Sequence, residues 1–340
     1  MSTRIPHIKE SFAVLSKNSF FNDKTIVSVY NKVPFLYDFS MTTKKFKRVN
    51  LEISSVCNLA CSFCHAGRKH NRECSFMDKS LFETIIPQIA PISEVISVHL
   101  MGEPLLHPDF SSILHIAEKC GAKIDVTTNG TLLEAWSSFY KIPCVRQINF
   151  SLQSGIDHFH SEIKSNDFKK YFENIAAFVE QASKERPDLF FNFRLWNLKD
   201  FSHANDLNKE LIRIIVERFG TKDLSAVDEV DIFQKKSVRI MGKIFIHFET
   251  LFEWPILSSP MLHEKGFCHG LSSHFGILSD GRVVPCCLDR DGVMTLGDAK
   301  TELISEILKK PRSLSIKEGF KNRILIEELC QHCSYITRFN

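Results

Sequence analysis

The chain has eleven cysteines, and eight of them form two groups. The first group is Cys57, Cys61 and Cys64, and the second is Cys268, Cys286, Cys287, Cys330 and Cys333. In a reducing cytosol, cysteines at such close spacing indicate metal ligation rather than disulfide bonds. The remaining three stand apart, and we expect them to be ordinary packed thiols: Cys74, Cys120 and Cys144.

The first group suits a cluster of iron and sulfide. Cys57, Cys61 and Cys64 lie on one short loop after a predicted strand, so their thiolates can bind three irons of a 4Fe–4S cluster. The fourth iron then keeps an open position for a small molecule, as the metal does in catalytic zinc sites. A zinc ion is the alternative, but it needs a fourth ligand, and the adjacent His65 is poorly placed to be that ligand.

Three short motifs follow the next three predicted strands. Met101-Gly102-Glu103-Pro104 follows the second strand, Thr127-Thr128-Asn129-Gly130 the third, and Ser151-Leu152-Gln153 ends the fourth. Each motif alone would usually be an ordinary turn. Their placement, one at each strand end, is more specific, because barrel enzymes carry their chemistry at the C-terminal ends of the strands.

The CxxxCxxC spacing, with Phe63 just before its last cysteine, and the strand-end motifs together resemble the radical S-adenosylmethionine (radical SAM) enzymes. The resemblance implies that the amino and carboxylate groups of SAM occupy the open iron. An electron from the reduced cluster would then split the sulfonium into methionine and a 5′-deoxyadenosyl radical, which abstracts a hydrogen atom from the substrate. It further implies an external low-potential electron donor such as flavodoxin or ferredoxin.

The resemblance also implies which residues surround SAM. In the family, the Gly-Glu-Pro motif meets the ammonium group, polar side chains after the fourth strand meet the ribose, and the aromatic residue packs near the adenine. The matching residues here are Phe63, Gly102, Glu103, Asn129, Ser151 and Gln153.

Two positions depart from the family pattern. Met101 replaces the first glycine of the family's GGEP motif, but the Gly-Glu-Pro core is intact. Relatives often carry an arginine that pairs with the SAM carboxylate, and the nearest counterpart here is Lys164, which has the charge without the bidentate fork. Arg194 is the alternative partner for the carboxylate, and a plain surface role for Lys164 also stays open.

The second cysteine group resembles the auxiliary-cluster domains called SPASM and twitch. Their opening pattern is a cysteine, a spacer, then a glycine, four residues and a cysteine, as in Cys268 and Gly281 to Cys286. A full SPASM domain has further cysteines after its CxxC pair, whereas this chain has none after Cys333, which favours the single cluster of the twitch type. We expect that 4Fe–4S cluster to be bound by Cys268, Cys286, Cys330 and Cys333.

Two alternatives stay open for this second group. Cys286 and Cys287 are adjacent, and on an extended segment only one of them can easily face the cluster, so Cys287 is the minor alternative. Four thiolates with a CxxC pair also make a good structural zinc site.

Strand-like and helix-like segments alternate from Val49 to about Glu253, which predicts βαβ units around a parallel sheet. Six such units are fewer than the eight of a closed barrel, so we expect an α/β fold with a partial (β/α)6 TIM-like barrel. The predicted strands are Val49–Val56, Val95–Met101, Lys123–Thr128, Arg146–Gln153, Phe190–Asn197 and Lys243–Glu249. The predicted helices are Lys79–Ala90, Ser111–Lys119, Phe168–Lys184, Ala204–Phe219 and a short one, Glu302–Lys309, that ends at Pro311.

These strands alternate between apolar and polar residues, so a polar face must line the barrel interior. Buried polar groups are costly unless they are hydrogen-bonded, wet or occupied by a ligand, so we expect a lumen that binds something polar. A polar network that satisfies itself is the alternative. The charged and polar candidates for the lumen are Glu52, His99, Asp125, Asn149, Arg194, His247 and Glu249.

The domain prediction is an N-terminal extension over 1–47, the partial barrel over 48–255 and a small cysteine-rich twitch/SPASM-type domain over 256–340. The net charge is +3 without a long basic run, which makes nucleic acid an unlikely main ligand. We also find no segment apolar enough to span a bilayer and no apolar signal stretch between Met1 and Glu10, and therefore expect a cytoplasmic protein.

The leading hypothesis is a radical SAM enzyme that oxidises or modifies a small polar molecule or a peptide side chain, with the auxiliary cluster in electron transfer. Glu249 or His247 is the predicted general base. The competing hypotheses are a non-catalytic iron–sulfur or zinc protein, and a radical SAM enzyme that modifies RNA.

Overall fold

The structure is a computed structural model that describes residues 45–64, 72–152, 165–198, 206–220, 237–250 and 253–339. The predicted N-terminal extension therefore lies almost entirely outside the described residues. None of the helices in the described ranges is long and apolar enough to cross a membrane.

One mixed sheet forms the centre of the molecule. Its order is β10-β9-β8-β1-β2-β3-β4-β5-β7-β6, and the pairings from β1 through β5 to β7 are all parallel. These six parallel strands correspond to the six predicted ones, which confirms the α/β fold with a partial barrel. The strands are β1 (Arg48–Leu51), β2 (Ile96–Ser97), β3 (Ile124–Thr128), β4 (Val145–Ser151), β5 (Phe190–Leu198), β6 (Ser237–Met241), β7 (Ile244–Thr250), β8 (His274–Ile277), β9 (Arg282–Val284) and β10 (Gly297–Asp298).

The helices cover the apolar side of the sheet. Asp78 and Ser165 begin the first and third helices, because their side chains accept hydrogen bonds from the backbone N–H groups of Ser80 and Phe168. The helices are α1 (Lys79–Ile89), α2 (Phe110–Lys119), α3 (Asn166–Glu185), α4 (Asp206–Phe219), α5 (Ile304–Ile307), α6 (Pro311–Lys321) and α7 (Glu328–Gln331), with 3₁₀ turns at Pro104–Leu106, Phe139–Lys141 and Ser334–Phe339.

Period-two patterning explains how strands and helices pack. Leu51 and Ile53 from the first strand segment are fully buried in the same core as Phe82 and Ile85 of α1. Phe150 and Phe193, on neighbouring strands, stack at 5.8 Å between ring centroids. Burying these faces supplies most of the driving force for folding.

The C-terminal residues continue the barrel sheet. β8 pairs in parallel with β1 over Arg48–Leu51, and β8 and β9 form a hairpin with Gly281 at its turn. The boundary near residue 255 stays a prediction. The short helix predicted over Glu302–Lys309 is present as the shorter α5, which ends before Pro311. Pro311 itself begins α6, where a missing N–H costs nothing at the first helical position.

Candidate functional site

The loop after β1 carries the first cysteine group. The Cys64 N–H donates to the Cys61 carbonyl at 3.1 Å, and the Leu59 N–H points to Cys57 Sγ at 3.5 Å. Cys61 is buried, and Cys57 and Cys64 are half-buried. Burial raises the pKa of the Cys57 thiol to about 11, so a bound cation is needed to hold it as a thiolate at neutral pH.

Gly102 allows the end of the second strand to pack closely against this loop. Its φ of +71° favours glycine, and a Cβ there would clash with the Ser54 carbonyl. The close approach allows the Glu103 N–H to donate to the Val56 carbonyl at 2.8 Å, one residue before Cys57. The Gly-Glu-Pro turn is thereby joined directly to the start of the cysteine loop.

The Glu103 carboxylate is buried at the ends of the second and third strands. Oε1 accepts from Thr128 Oγ1 at 2.8 Å and from the Leu105 N–H at 3.1 Å, and Oε2 accepts from the Asn129 N–H at 2.7 Å. Burial raises the pKa of Glu103 to about 7, although these donors act in the opposite direction. A carboxyl group in this state would be stabilised as an anion by a cationic ligand.

Asn129 ties the third strand end to the cysteine loop. Its side-chain Nδ2 donates to Asn58 Oδ1 at 2.9 Å, and its Oδ1 accepts from the Thr131 N–H at 3.0 Å. Asn58 in turn donates from Nδ2 to Thr131 Oγ1 at 2.8 Å. Tyr171 of α3 supports the turn, because its hydroxyl donates to the Asn129 carbonyl at 2.6 Å.

A cavity of about 650 Å³ extends from the first cysteine group to the second. This volume lies within the range of small-molecule binding sites. Every described residue among the predicted site residues lines it: Cys57, Cys61, Phe63, Cys64, Gly102, Glu103, Asn129, Ser151, Arg194, His247, Glu249, Cys268, Cys286, Cys330 and Cys333. Gln153 and Lys164 lie outside the described residues, as does His65.

Arg194 and Glu249 form an ion pair on the wall of the cavity. Arg194 Nη2 contacts Glu249 Oε2 at 2.7 Å, and His247 Nε2 lies 3.8 Å from Glu249 Oε1. Burial alone would raise the pKa of Glu249, but the Arg194 charge and hydrogen bonds from His247 and Arg194 outweigh it and hold this pKa well below its usual range. Glu249 is therefore ionised at neutral pH, and its stabilised charge makes it a weak base.

The second cysteine group converges on one place. Burial raises the pKa of the Cys286 thiol far above its usual value, and the charges of Cys287, Cys268, Cys330 and Cys333 raise it further, so these sulfurs are close neighbours. Thiolates on a 4Fe–4S cluster bind different irons and therefore lie farther apart than the ligands of one ion. Within the described ranges, no three His, Cys, Asp or Glu side chains are grouped so as to hold a single metal ion.

Cys286 and Cys287 pack against different groups of apolar residues. Cys286 packs against the main core together with Cys268, whereas Cys287 packs against a small apolar cluster that Cys64 and Trp254 also contact. This packing supports Cys286 as the ligand and places Cys287 between the two cysteine groups.

Two of the expected lumen residues do not line the cavity. Glu52 is fully buried and accepts from Arg72 at 2.6 Å and from the Ser279 N–H at 3.0 Å. Asp125 accepts two hydrogen bonds from Arg146, at 3.0 and 2.7 Å. Both carboxylates are satisfied inside the fold, so for these two the self-satisfied network is the correct interpretation, and their placement in the lumen was wrong.

Several residues at the candidate site were not identified from the sequence. Asn58 lies within the cysteine motif and could have been found there. Arg48, His274 and Tyr335 line the cavity but belong to no recognisable motif. Tyr171 could not be told from a packed aromatic residue, because only the fold brings its hydroxyl to Asn129.

Comparison with known proteins agrees with this arrangement. Residues 51–206 match the Radical SAM superfamily, and residues 268–334 match SPASM, an iron–sulfur cluster-binding domain. A GTP 3′,8-cyclase of Chlorobaculum tepidum is 28% identical, over 81% of this chain and 89% of that protein. An S-adenosylmethionine-dependent nucleotide dehydratase of Selenomonas ruminantium is 33% identical, but over only 25% of this chain and 31% of the dehydratase. The chain thus matches less than a third of the dehydratase's length.

A solved structure has a similar fold. SuiB of Streptococcus suis, in a crystal structure with S-adenosylmethionine, superimposes with a TM-score of 0.56 at 15% identity, over 86% of this chain and 74% of that one. This structural similarity supports the partial barrel fold.

The residues fit the cofactors that these domains use. The Radical SAM domain implies a 4Fe–4S cluster and SAM, and the SPASM domain implies auxiliary iron–sulfur ligation. Three thiols on one loop match the first cluster, and the buried Glu103 carboxylate matches an ammonium group. The four converging thiols around Cys286 match the second cluster.

Proposed function

The chain combines a Radical SAM domain with a C-terminal SPASM domain, and from this premise we propose that it is an enzyme that oxidises or otherwise modifies a small polar molecule or a peptide side chain. When bound, the cluster and SAM supply a 5′-deoxyadenosyl radical that removes a hydrogen atom from the substrate. The single observation that carries the proposal is the shared cavity, because it joins both cysteine groups to the buried Glu103 carboxylate.

Different residues of the chain bind the cluster and the different parts of SAM. Cys57, Cys61 and Cys64 hold the cluster and leave one iron open. Glu103 accepts a hydrogen bond from the SAM ammonium group, since its carboxylate keeps an acceptor site beyond the three donors that it already contacts. Phe63 packs near the adenine.

The remaining SAM contacts come from strand ends on the same cavity. Asn129 and Ser151 hold the nucleoside, together with Gln153, and Lys164 or Arg194 pairs with the carboxylate. Because Arg194 already contacts Glu249, it binds SAM as part of an ion pair, with its charge partly neutralised.

The C-terminal cysteines Cys268, Cys286, Cys330 and Cys333 hold one auxiliary 4Fe–4S cluster. Such a cluster would supply a site for electron transfer to or from the substrate. An external low-potential donor, such as flavodoxin or ferredoxin, would supply the electron that SAM cleavage consumes. Of the two predicted general bases, His247 is the one that takes the proton leaving an oxidised substrate, because Glu249 is a weak base in its pair with Arg194. A cytoplasmic location stays a prediction from the sequence.

A small molecule is favoured over a peptide as the substrate. Relatives named for small-molecule chemistry include the GTP 3′,8-cyclase and a 2-deoxy-scyllo-inosamine dehydrogenase of Niallia circulans. The cavity's volume of about 650 Å³ also suits a small molecule together with the SAM nucleoside.

The test is SAM cleavage by protein that has been reconstituted with iron and sulfide without air. Reduced wild-type protein should release 5′-deoxyadenosine, detected by mass spectrometry, and release should rise with the correct substrate. Cys61→Ala should abolish it, whereas Cys120→Ser, a thiol at the end of α2 outside the cavity, should keep it.

The competing hypotheses predict different results. A non-catalytic iron–sulfur or zinc protein would bind metal without releasing deoxyadenosine. An RNA-modifying enzyme would bind RNA with an affinity that falls steeply as salt is raised.

A further inference from the structure

The lumen carries a cation that its nearest carboxylate does not neutralise. Asp125 makes a close bidentate pair with Arg146, at 3.0 and 2.7 Å, and only a single contact with Arg48, at 3.5 Å. One carboxylate cannot cancel two guanidinium charges, and Arg146 holds the better geometry. The Arg48 side chain is 50% exposed and lines the cavity, so its charge faces the space inside the barrel.

His99 places an unsatisfied buried nitrogen in the same region. Its ring lines the cavity, and its Nδ1 is buried without a hydrogen-bond partner among the described residues. Buried polar atoms without partners are rare in folded proteins, and a ligand or an ordered water usually satisfies them. This nitrogen therefore indicates a group that binds in the cavity.

The local electrostatic potential is positive. Burial, together with the charges of Arg194 and Arg48, lowers the pKa of His99 to about 3. Burial, with His269 and Arg48 nearby, likewise lowers the pKa of His274 to about 4. Both imidazoles are thus neutral at neutral pH and able to donate one N–H each.

The carboxylates on the cavity wall already form an ion pair or accept hydrogen bonds from other groups. Glu249 pairs with Arg194, and Glu103 accepts from Leu105 and Asn129. Asp289 accepts from two backbone N–H groups. Among the described residues, no hydrogen bond or ion pair joins these three carboxylates to Arg48, His99 or His274. The Arg48 charge and the two imidazoles are therefore suited to bind an anion.

We propose that Arg48, His99 and His274 form a subsite for an anionic group of the substrate, a carboxylate or a phosphate. Arg48 and His274 are direct partners in the pairing of β1 with β8, and His99 follows two residues after β2, the strand that pairs with β1 on its other side. The inference rests on the proposed function and narrows its substrate class from polar to anionic.

The subsite would also orient the substrate. Arg48 begins β1, whereas the cysteine loop follows the other end of that strand. The Arg48 guanidinium contacts Asp125 at 3.5 Å, at the level of Asn50 and Ser97 in the sheet, so an anionic group held there lies several residues along the chain from Cys57. The rest of a small substrate would extend from this anchor toward the radical that forms beside the cysteine loop.

The test is anaerobic calorimetry on reconstituted holoenzyme with saturating SAM, so that the SAM carboxylate is already accommodated. The probes are inorganic pyrophosphate and succinate, with glycerol as the neutral control. At least one anionic probe should bind, and the one that binds distinguishes a phosphate from a carboxylate. Arg48→Gln should weaken its binding by about tenfold or more, which is the loss expected for a charge-assisted hydrogen bond.

Two variants accompany this measurement. His99→Phe keeps the planar ring but removes its nitrogens, and should weaken the same probe. Arg213→Gln, an exposed arginine on α4, removes an equal charge away from the cavity and should leave binding unchanged. In the Arg48→Gln variant, Asp125 still forms its ion pair with Arg146, so we expect the variant to fold.

The inference is overturned if neither anion binds wild-type protein, or if Arg48→Gln binds as tightly as wild type. The cluster's electron paramagnetic resonance signal and its response to SAM are recorded on the same samples. An intact response with no anion binding contradicts the subsite alone, whereas a missing response contradicts the proposed function on which it rests.

Discussion

Asn129 donates a hydrogen bond to Asn58 at 2.9 Å, and this contact joins the turn after β3 to the middle of the cysteine loop. Asn58 also donates to Thr131, so the two asparagines and the threonine form a closed set of side-chain contacts. The same turn donates a backbone N–H to Glu103. The proposed cluster loop and the proposed SAM contact at Glu103 are therefore connected through a single turn.

The first prediction concerns this link. Asn58→Ala should keep the three cysteines and their iron, but SAM affinity should fall by about tenfold, because the lost hydrogen bonds hold the loop in register with Glu103. The measurement is SAM binding by calorimetry beside iron counting. Asn322→Ala, which removes an exposed side-chain contact with Glu318, is the control and should behave as wild type. Unchanged SAM affinity in Asn58→Ala would argue against the link.

The second prediction concerns the charge of Glu103. Burial raises its pKa to about 7, so the carboxyl is largely protonated below that pH and is no longer a charged acceptor for the SAM amino group. SAM affinity should therefore be greatest above pH 7 and should fall by up to about tenfold per pH unit below it. Calorimetry across this range measures the effect.

Glu103→Gln is the matched variant for this titration. It should bind SAM about 10- to 100-fold more weakly than wild type, since a charge-assisted hydrogen bond is lost, and its pH profile should be flat. A wild-type profile as flat as that of the variant would show that Glu103 does not meet the ammonium group.

The third prediction separates backbone strain from close packing at Gly102. Gly121 has a similar positive φ, +66°, but no atom lies within 4 Å of the position its Cβ would take. Gly121→Ala should therefore cost about 1 kcal/mol of unfolding free energy from strain alone. Gly102→Ala should cost about 3 kcal/mol or more, because its Cβ would also strike the backbone at Ser54. Thermal unfolding of both variants measures the difference, and equal losses would mean that the contact with Ser54 is not rigid.

The fourth prediction concerns the adjacent cysteines. Cys286→Ser should lose the auxiliary cluster, with about four irons fewer per chain, because the charges of Cys268, Cys330 and Cys333 all act on its thiol. Cys287→Ser should keep the full complement of about eight irons, because its thiol packs against a separate small apolar cluster that includes Leu278 and Val284. Iron and sulfide analysis distinguishes them, and the reverse outcome would make Cys287 the ligand.

The elements that position the site could be predicted from local patterns. The six parallel strands and the first four helices follow from apolar periodicity, and the strand-end motifs follow from their order along the chain. Boundaries were less accurate: the segment predicted as Val95–Met101 is a strand only over Ile96–Ser97, since the chain then turns toward Gly102. The edge strand β6, most of whose residues are not buried, was not predicted.

Long-range partners could not be predicted in the same way. Glu52 has the polar alternation of a lumen residue, but Arg72, twenty residues later in the chain, neutralises it inside the fold. Asp125 is neutralised across two strands by Arg146. The surplus charge of Arg48 exists only because Arg146 has the better geometry, and no sequence pattern encodes such a comparison of distances.

The central claim is that three thiolates leave one iron of the first cluster open to SAM. The most direct test is the electron paramagnetic resonance spectrum of the reduced, reconstituted protein with and without SAM. Cys286→Ser provides a sample that retains only the first cluster. Cys286→Ser should show a 4Fe–4S signal that changes when SAM is added, and the double variant Cys61→Ala/Cys286→Ser should show no such signal. A signal that is identical with and without SAM, or no iron–sulfur signal at all, would contradict it.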